Sequence, residues 1–205
     1  MPAESLQTDA FVLSKRPPAD AHQGFQVLSA THGLLLVFQR VGRKSAAHAM
    51  TLDLFDEASL LLESSNQGRT WFIKEAQLIR RHAGIGRSYD ALQRASTLAG
   101  LVIRNTVDAE SRPAITEMLR AAFGAFETAD RPDIVYFKCV YRFARDEGYP
   151  MKQQWFPTLP ADDRRQVATL LNRPLAEQTA PAETVTRLQR RLETYLRGHT
   201  EILLD

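Results

Sequence analysis

The sequence is short of the features that mark several classes of protein. It has one cysteine, Cys139, in 205 residues, which excludes a disulfide framework and a four-cysteine zinc site. Its longest apolar runs, such as Leu34 to Phe38, are far too short to cross a bilayer. The first residues have neither the basic nor the apolar segment of a secretion signal. We therefore expect a cytoplasmic protein that makes no membrane contact.

Catalytic and metal-binding motifs are also missing from the sequence. It contains no glycine-rich phosphate loop, no HExxH and no GxSxG. The histidines show no metal-ligand spacing. Cys139 follows Phe137 in a helical pattern, which is typical of a buried thiol and not of a nucleophile. The sequence therefore predicts no enzyme, no catalytic residue, no cofactor and no metal.

The net charge of the chain is small as well. The 26 Lys and Arg residues and 24 Asp and Glu residues leave a net charge of +2. A diffuse positive field therefore does not indicate a nucleic-acid-binding protein, and only a local cluster of cations could do so.

The first 82 residues have the pattern of a small β-domain. Apolar and polar residues alternate, and the apolar runs are separated by short turns such as the one at Pro17 and Pro18. The expected strands are Asp9 to Ser14, Gly24 to Ala30, Leu34 to Val41, one bent or two short strands in Met50 to Glu63, and Arg69 to Ile79. Because no segment here is long enough for a crossover helix, the pattern predicts a closed five-stranded barrel.

The period of the apolar residues changes to that of a helix after His82. Tyr89 to Val107, for example, carries Leu92, Ala95, Leu98 and Val102 on one helical face. Similar patterns continue to the C-terminal segment. We therefore expect two domains, a barrel over residues 1–82 and an all-α domain without a sheet over residues 83–205.

The order of these parts resembles RecO, a family of bacterial recombination mediators. Five segments carry the resemblance: Ala10 to Pro17 (AFVLSKRP), Ser29 to Lys44 (SATHGLLLVFQRVGRK), Glu75 with Ala76, Phe137 to Tyr149 (FKCVYRFARDEGY) and Thr194 to Leu204 (TYLRGHTEILL). Together they span nearly the whole chain. The segment Met151 to Pro160 departs from the family, because it has no cysteine where many members have four. The family's zinc is therefore not expected here.

The resemblance implies an OB-fold barrel followed by a helical domain. It also implies a non-enzymatic protein of recombinational DNA repair that anneals complementary strands and helps to load recombinase onto single-stranded DNA. The implied partners are single- and double-stranded DNA, a RecR-like protein and the acidic tail of single-stranded-DNA-binding protein. A location at the nucleoid follows from these partners.

Cations at the expected strand ends form the candidate nucleic-acid site. Loops of a barrel bring distant residues onto one rim, where cations can neutralise phosphates. The candidates are Lys15, Arg16, Arg40, Arg43 and Lys44, with His48 after the basic loop and Lys74, Arg80 and Arg81 toward the end of the barrel. The alternative is a solvated surface, with ion pairs to residues such as Glu75.

Two aromatic residues of the barrel could stack on bases. Trp71 is a candidate for stacking, and burial in the core is the equally weighted alternative. Phe38 lies in a run of Leu and Val, which favours burial. Since adjacent strand residues point to opposite faces, one member of each neighbouring apolar pair must point inward.

A second candidate site lies in the helical half. Phe137, Lys138, Tyr141 and Arg142 place aromatic rings beside cations, a combination that can hold an acidic peptide with apolar side chains. Packing of the two rings in the core is the alternative. The family captures an acidic tail on its helical domain, which is what the resemblance implies for these residues. The competing hypothesis for the whole chain is a non-enzymatic scaffold whose OB barrel does not bind DNA.

Overall fold

The computed structural model describes residues 4–19, 21–40, 50–64, 68–105 and 107–204. The chain divides into two compact units. The first contains Met1–His82 and Thr106–Thr116, and the second contains Ala83–Asn105 and Glu117–Asp205. Within the described ranges, no helix is long and apolar enough to cross a membrane.

The first unit is built on a closed barrel of five strands. The strands are β1 (Glu4–Lys15), β2 (His22–Ser29), β3 (Gly33–Arg40), β4 (Glu57–Ser64) and β5 (Trp71–Arg80). Their order around the barrel is β1-β2-β3-β5-β4, and β4 pairs with β1 to close it. All pairs are antiparallel except β3 with β5. The predicted five-stranded barrel is therefore confirmed.

Alternating side chains of the strands fill the barrel. Val12, Val27, Val37 and Leu60 are each at most 1% exposed and pack in one apolar cluster with Trp71. β1 begins at Glu4 although the expected strand begins at Asp9, because Glu4 to Phe11 pair continuously with β4. Backbone pairing extends the strand into a segment whose polar side chains gave no strand signal.

The connection before β4 also differs from the sequence expectation. Residues 50–56 are not a strand. The Asp56 side chain accepts a hydrogen bond from the Asp53 backbone N–H at 2.8 Å, and Phe55 has a positive φ of 68°. Aspartates that bond to nearby backbone stabilise turns in preference to strands, so only the second half of the expected pair becomes β4.

Arg112 contacts the barrel and so ties its segment to the first unit. The Arg112 guanidinium lies over Gly33, where a Cβ would meet its Cζ at 3.0 Å, and its Nη1 donates to the Thr31 carbonyl at 3.4 Å. Gly33 also has a φ of +74°, so both its backbone and its contact favour glycine.

Six helices follow the barrel in the described residues. They are α1 (Tyr89–Arg104), α2 (Arg112–Thr128), α3 (Pro132–Asp146), α4 (Met151–Gln154), α5 (Ala161–Asn172) and α6 (Ala182–His199). Phe123, Phe137 and Phe143 are fully buried among them, and Trp155 is 1% exposed just after α4. No strand follows β5 in the part of the chain described, which confirms the predicted helical half.

Candidate nucleic-acid interface

Three rings lie together on the outer face of the barrel. Phe38 on β3 is paired in register with Phe72 on β5, and their ring centroids are 6.0 Å apart. His22 on β2 meets Phe72 edge-on at 5.6 Å. We call His22, Phe38 and Phe72 the aromatic patch. Its rings point away from the core because their neighbours Gln23, Val37 and Trp71 are buried.

Gly24 makes room for the aromatic patch. It pairs with Phe38 across β2 and β3, and a Cβ added to it would lie only 3.2 Å from Cε1 of the Phe38 ring. The same Cβ would lie 3.5 Å from Cδ of Arg16. The missing side chain therefore lets the Phe38 ring and the Arg16 side chain lie flat against the strand.

Cations border the aromatic patch. Arg40 is exposed and pairs in register with His22 at the end of β3. Arg16 is exposed in the connection after β1. Among the described residues, no carboxylate lies within ion-pair distance of either guanidinium. Lys74, two residues after Phe72, bonds to Glu63 at 2.7 Å but keeps half of its side chain exposed.

This arrangement has the chemistry that a single strand of nucleic acid requires. Phe72 is 38% exposed, so part of its ring is available to stack on a base. Arg16, Arg40 and Lys74 can neutralise phosphates on either side of the stacked base. The residues of the aromatic patch and these cations belong to β2, β3 and β5 and to the connection after β1.

The expectation that Trp71 stacks on bases is wrong. Trp71 is 4% exposed and belongs to the barrel core, since it pairs with the buried Val37. The Trp71 side chain points into the barrel, and the adjacent Phe72 side chain points outward. Phe38, for which burial was favoured, is half-buried on the outer face instead.

Besides Lys74, which bonds to Glu63, two more of the predicted cations are held in ion pairs. Arg81 binds the fully buried Asp56 with two bonds, Nε at 3.1 Å and Nη2 at 2.8 Å, so it supports the connection before β4. Lys15 lies 3.2 Å from Asp53, and both side chains are partly exposed. Arg80 is exposed at the end of β5. Arg43, Lys44 and His48 lie outside the described residues.

Sequence reasoning missed Phe72, His22 and the role of Gly24. The signal available for Phe72 was the strand period itself, because placing Trp71 inward places Phe72 outward. His22 carried no such signal, since its position beside Phe72 depends on the parallel pairing of β3 and β5. That pairing is not visible in the local sequence.

The helical unit has an open groove of about 810 Å³, which we call the α3 groove. Its described lining includes Lys138, Arg142, Arg145 and Lys152 and no carboxylate. Its apolar lining residues include Met118, Val135, Met151 and Phe156. The groove therefore combines a basic rim with apolar walls.

Three of the four residues predicted to bind a peptide line the α3 groove, and the fourth does not. Tyr141 is half-buried beside Phe156, with ring centroids 6.4 Å apart. Lys138 donates to the Arg173 carbonyl at 2.6 Å, and partial burial lowers the pKa of its ammonium. Arg142 pairs with Asp146 at 3.2 Å. Phe137 is fully buried in the helical core, so its predicted contact with a peptide is wrong.

The titratable groups of the described ranges bear on two kinds of site, a metal centre and a reactive thiol. No cluster of three His, Cys, Asp or Glu side chains there could hold a metal ion. Burial raises the pKa of the Cys139 thiol to about 12, which keeps it protonated. Comparison with family models and with curated proteins finds no match for this chain.

Proposed function

We propose that this protein binds single-stranded DNA through its barrel and acts as a recombination mediator in DNA repair. The observation that carries the proposal is the aromatic patch with Arg16 and Arg40 beside it. The resemblance to RecO supplies the biological role: annealing of complementary strands and loading of recombinase, together with a RecR-like partner. Double-stranded DNA is the expected product of annealing.

The physical mechanism of annealing is charge neutralisation. Two phosphate backbones repel each other until cations screen both of them. Stacking on Phe72 would hold one base of a strand without regard to its sequence, because every base has a π-face. The remaining bases would stay free to pair with the complementary strand.

The α3 groove is the proposed binding site for an acidic peptide tail. Apolar side chains of such a peptide would pack against the half-buried rings of Tyr141 and Phe156, and its carboxylates would face Arg145 and Lys152. Charge complementarity supports this occupant, because the described lining has four cations, and a single carboxylate, Asp146, pairs with two of them, Arg142 and Arg145. The resemblance identifies the tail of single-stranded-DNA-binding protein as the natural ligand.

The test of DNA binding is the salt dependence of affinity for a fluorescent single-stranded oligonucleotide. Arg16→Ala with Arg40→Ala should weaken binding to oligonucleotides of any base sequence. Each lost phosphate contact should flatten the plot of log affinity against log salt by about 0.7. Adding Arg43→Ala and Lys44→Ala should flatten it further if the basic loop also contacts phosphate.

A matched control removes the same charge from another surface. Arg164 and Arg165 are exposed on α5, and replacing both by alanine lowers the net charge by the same two units. This variant should keep the affinity and the slope of the wild type. If the wild type binds no oligonucleotide at low salt, the DNA-binding role is wrong and the scaffold hypothesis is favoured.

Peptide binding can be tested separately from DNA binding. Arg145→Glu with Lys152→Glu should weaken the binding of an acidic peptide that ends in apolar residues, measured by calorimetry. The same variant should bind the oligonucleotide through the barrel as the wild type does. Unchanged affinity for the peptide would rule out the α3 groove as its site.

A further inference from the structure

A second groove of the helical unit lies along α6 and has a different lining. It has a volume of about 930 Å³, and we call it the α6 groove. Its lining includes Arg187, Arg190 and Arg191 from one side of α6, with Tyr195 and His199 one and two turns further along. Glu183 is the carboxylate among its described lining residues.

A buried carboxylate lies beside two of these guanidiniums. Asp163, at the start of α5, has a side chain only 6% exposed and lies within ion-pair distance of both Arg187 and Arg191. Arg191 Nε is 3.1 Å from Asp163 Oδ2. The two arginine side chains remain 45% and 46% exposed, so each keeps N–H donors that face solvent.

Arg190 adds a third cation that no described carboxylate neutralises. It is exposed on α6, and it lies between the two arginines that share Asp163. Three guanidiniums outnumber the two nearby carboxylates, which are the shared Asp163 and Glu183 of the lining, so the groove keeps a positive balance. Because Arg187 is already oriented by its hydrogen bond to Asp163, binding an anion would cost this side chain little entropy.

The far end of the groove offers a ring for stacking. The imidazole of His199 lies parallel to the ring of Tyr195, with centroids 4.5 Å apart and an interplanar angle of 10°. His199 is exposed, whereas Tyr195 is 9% exposed. The ring of His199 is thus held flat by a buried partner, and its other face can receive a planar group.

We propose that the α6 groove is a second binding site for single-stranded nucleic acid. Phosphates would bind the guanidiniums of Arg187, Arg190 and Arg191, and a base would stack on His199. This inference rests on the proposed function, because a protein that anneals two strands needs a site for each. The barrel provides one site, and the α6 groove provides the other.

The lining favours nucleic acid over an acidic peptide. The large apolar residues of the α6 groove, Trp155 and Leu159, are 1% and 5% exposed and offer little surface to apolar side chains. The exposed polar groups are guanidiniums, the hydroxyls of three threonines, an imidazole and one carboxylate, that of Glu183. A phosphodiester backbone with planar bases complements these groups better than a peptide with an apolar end does.

Crosslinking locates the bound strand directly. The full-length protein is mixed with an oligothymidylate that carries 5-iodouracil, irradiated, digested and mapped by mass spectrometry. We expect crosslinked peptides from β5 around Phe72 and from α6 around Tyr195 and His199. Arg190→Glu should lower the yield on α6 by about fivefold or more and leave the yield on β5 unchanged.

The outcomes separate the second site from the barrel site. Crosslinks on β5 alone would overturn the α6 site and leave the proposed function standing. Crosslinks on α6 alone would remove the barrel as the DNA site and would overturn the α6 groove as a second site, since it would then be the first. Crosslinks on neither would overturn both.

Two further results bear on the assignment. Arg164→Glu makes the same charge change on α5 outside the groove lining, and it should leave both yields unchanged. If the crosslinking yield on α6 fell equally in Arg164→Glu and Arg190→Glu, the loss would come from the general electrostatic field of the protein and not from a contact with Arg190. That result would overturn the inference. Protection of α6 by an acidic peptide, without any DNA crosslink there, would assign the groove to peptide and overturn it as well.

Discussion

Phe38 and Phe72 lie side by side on the outer face of the barrel, with ring centroids 6.0 Å apart and an angle of 35° between their planes. They belong to β3 and β5, which run parallel and place these two residues in register. Phe72 is the more exposed of the two, and Phe38 supports it from the side. The pair forms a small apolar surface with Arg40 and Lys74 close by along the strands.

Replacing Phe72 by alanine should weaken binding of single-stranded DNA with little loss of stability. The loss of one stacked base should cost about 1–3 kcal/mol of binding free energy, whatever the sequence of the oligonucleotide. Fluorescence anisotropy with several homopolymers measures this effect. Because Phe72 is 38% exposed, the thermal unfolding midpoint of the Phe72→Ala protein should differ little from that of the wild type.

Ile79→Ala is the matched control for Phe72→Ala. Ile79 is an apolar residue of the same strand, is 49% exposed and lies away from the aromatic patch. Its replacement should leave the affinity for DNA unchanged. Equal losses of affinity in the two variants would remove the stacking role of Phe72.

Replacing Gly24 by valine should displace the Phe38 ring, which lies beside Gly24 on the neighbouring strand. The new Cβ would lie 3.2 Å from Phe38 Cε1, so the partly exposed ring must move outward. We expect the affinity for single-stranded DNA to fall by roughly three- to tenfold, and we expect a change of less than about 1 kcal/mol in stability. Unchanged affinity with an unchanged Phe38 environment, measured by NMR, would contradict the close contact.

The barrel could be predicted from the sequence because its signals are local. Val12, Val27 and Val37 each lie in a short run of aliphatic and aromatic residues, and turn residues separate these runs. The helical half was visible for the same reason, through the period of Leu92, Ala95 and Leu98. Local periodicity thus specifies which elements form.

The aromatic patch could not be predicted in the same way, because it depends on register between distant strands. Trp71 and Phe72 are adjacent aromatic residues, and either could fill the core. The parallel pairing of β3 with β5 sets Trp71 opposite Val37 and Phe72 opposite Phe38. In the helical half the analogous choice was between Phe137 and Tyr141, and the packing of α3 buries Phe137 completely.

Cys139 should be almost inert toward thiol reagents in the folded protein. It is 6% exposed, and burial raises its pKa to about 12. Only the thiolate reacts, so at pH 8 its reaction rate should be about a thousandfold below that of the unfolded chain. Reaction with a chromogenic disulfide, with and without denaturant, measures the ratio. Fast reaction of the native protein would contradict the packing of α3.

Arg81 and Asp56 provide a test that separates stability from DNA binding. Asp56 is fully buried and receives two bonds from Arg81, whose Nη2 also donates to the Thr51 carbonyl at 2.8 Å. Arg81→Ala leaves this carboxylate without its cation and should lower the free energy of unfolding by about 2 kcal/mol. Urea unfolding measures the loss. The double variant Arg81→Ala with Asp56→Ala should lose less stability than the sum of the two single losses. The reason is that each single replacement already removes the ion pair.

The same variants decide whether Arg81 belongs to the nucleic-acid site. Since its guanidinium is bound to Asp56, the folded Arg81→Ala protein should bind single-stranded DNA within about twofold of the wild type, with the same salt slope. Arg40→Ala should show the opposite result, because Arg40 is exposed and no described carboxylate pairs with it. Its affinity and salt slope should fall while its stability stays within about 0.5 kcal/mol of the wild type. If Arg81→Ala lost affinity and kept full stability, the ion pair with Asp56 would be dispensable and Arg81 would be a phosphate contact.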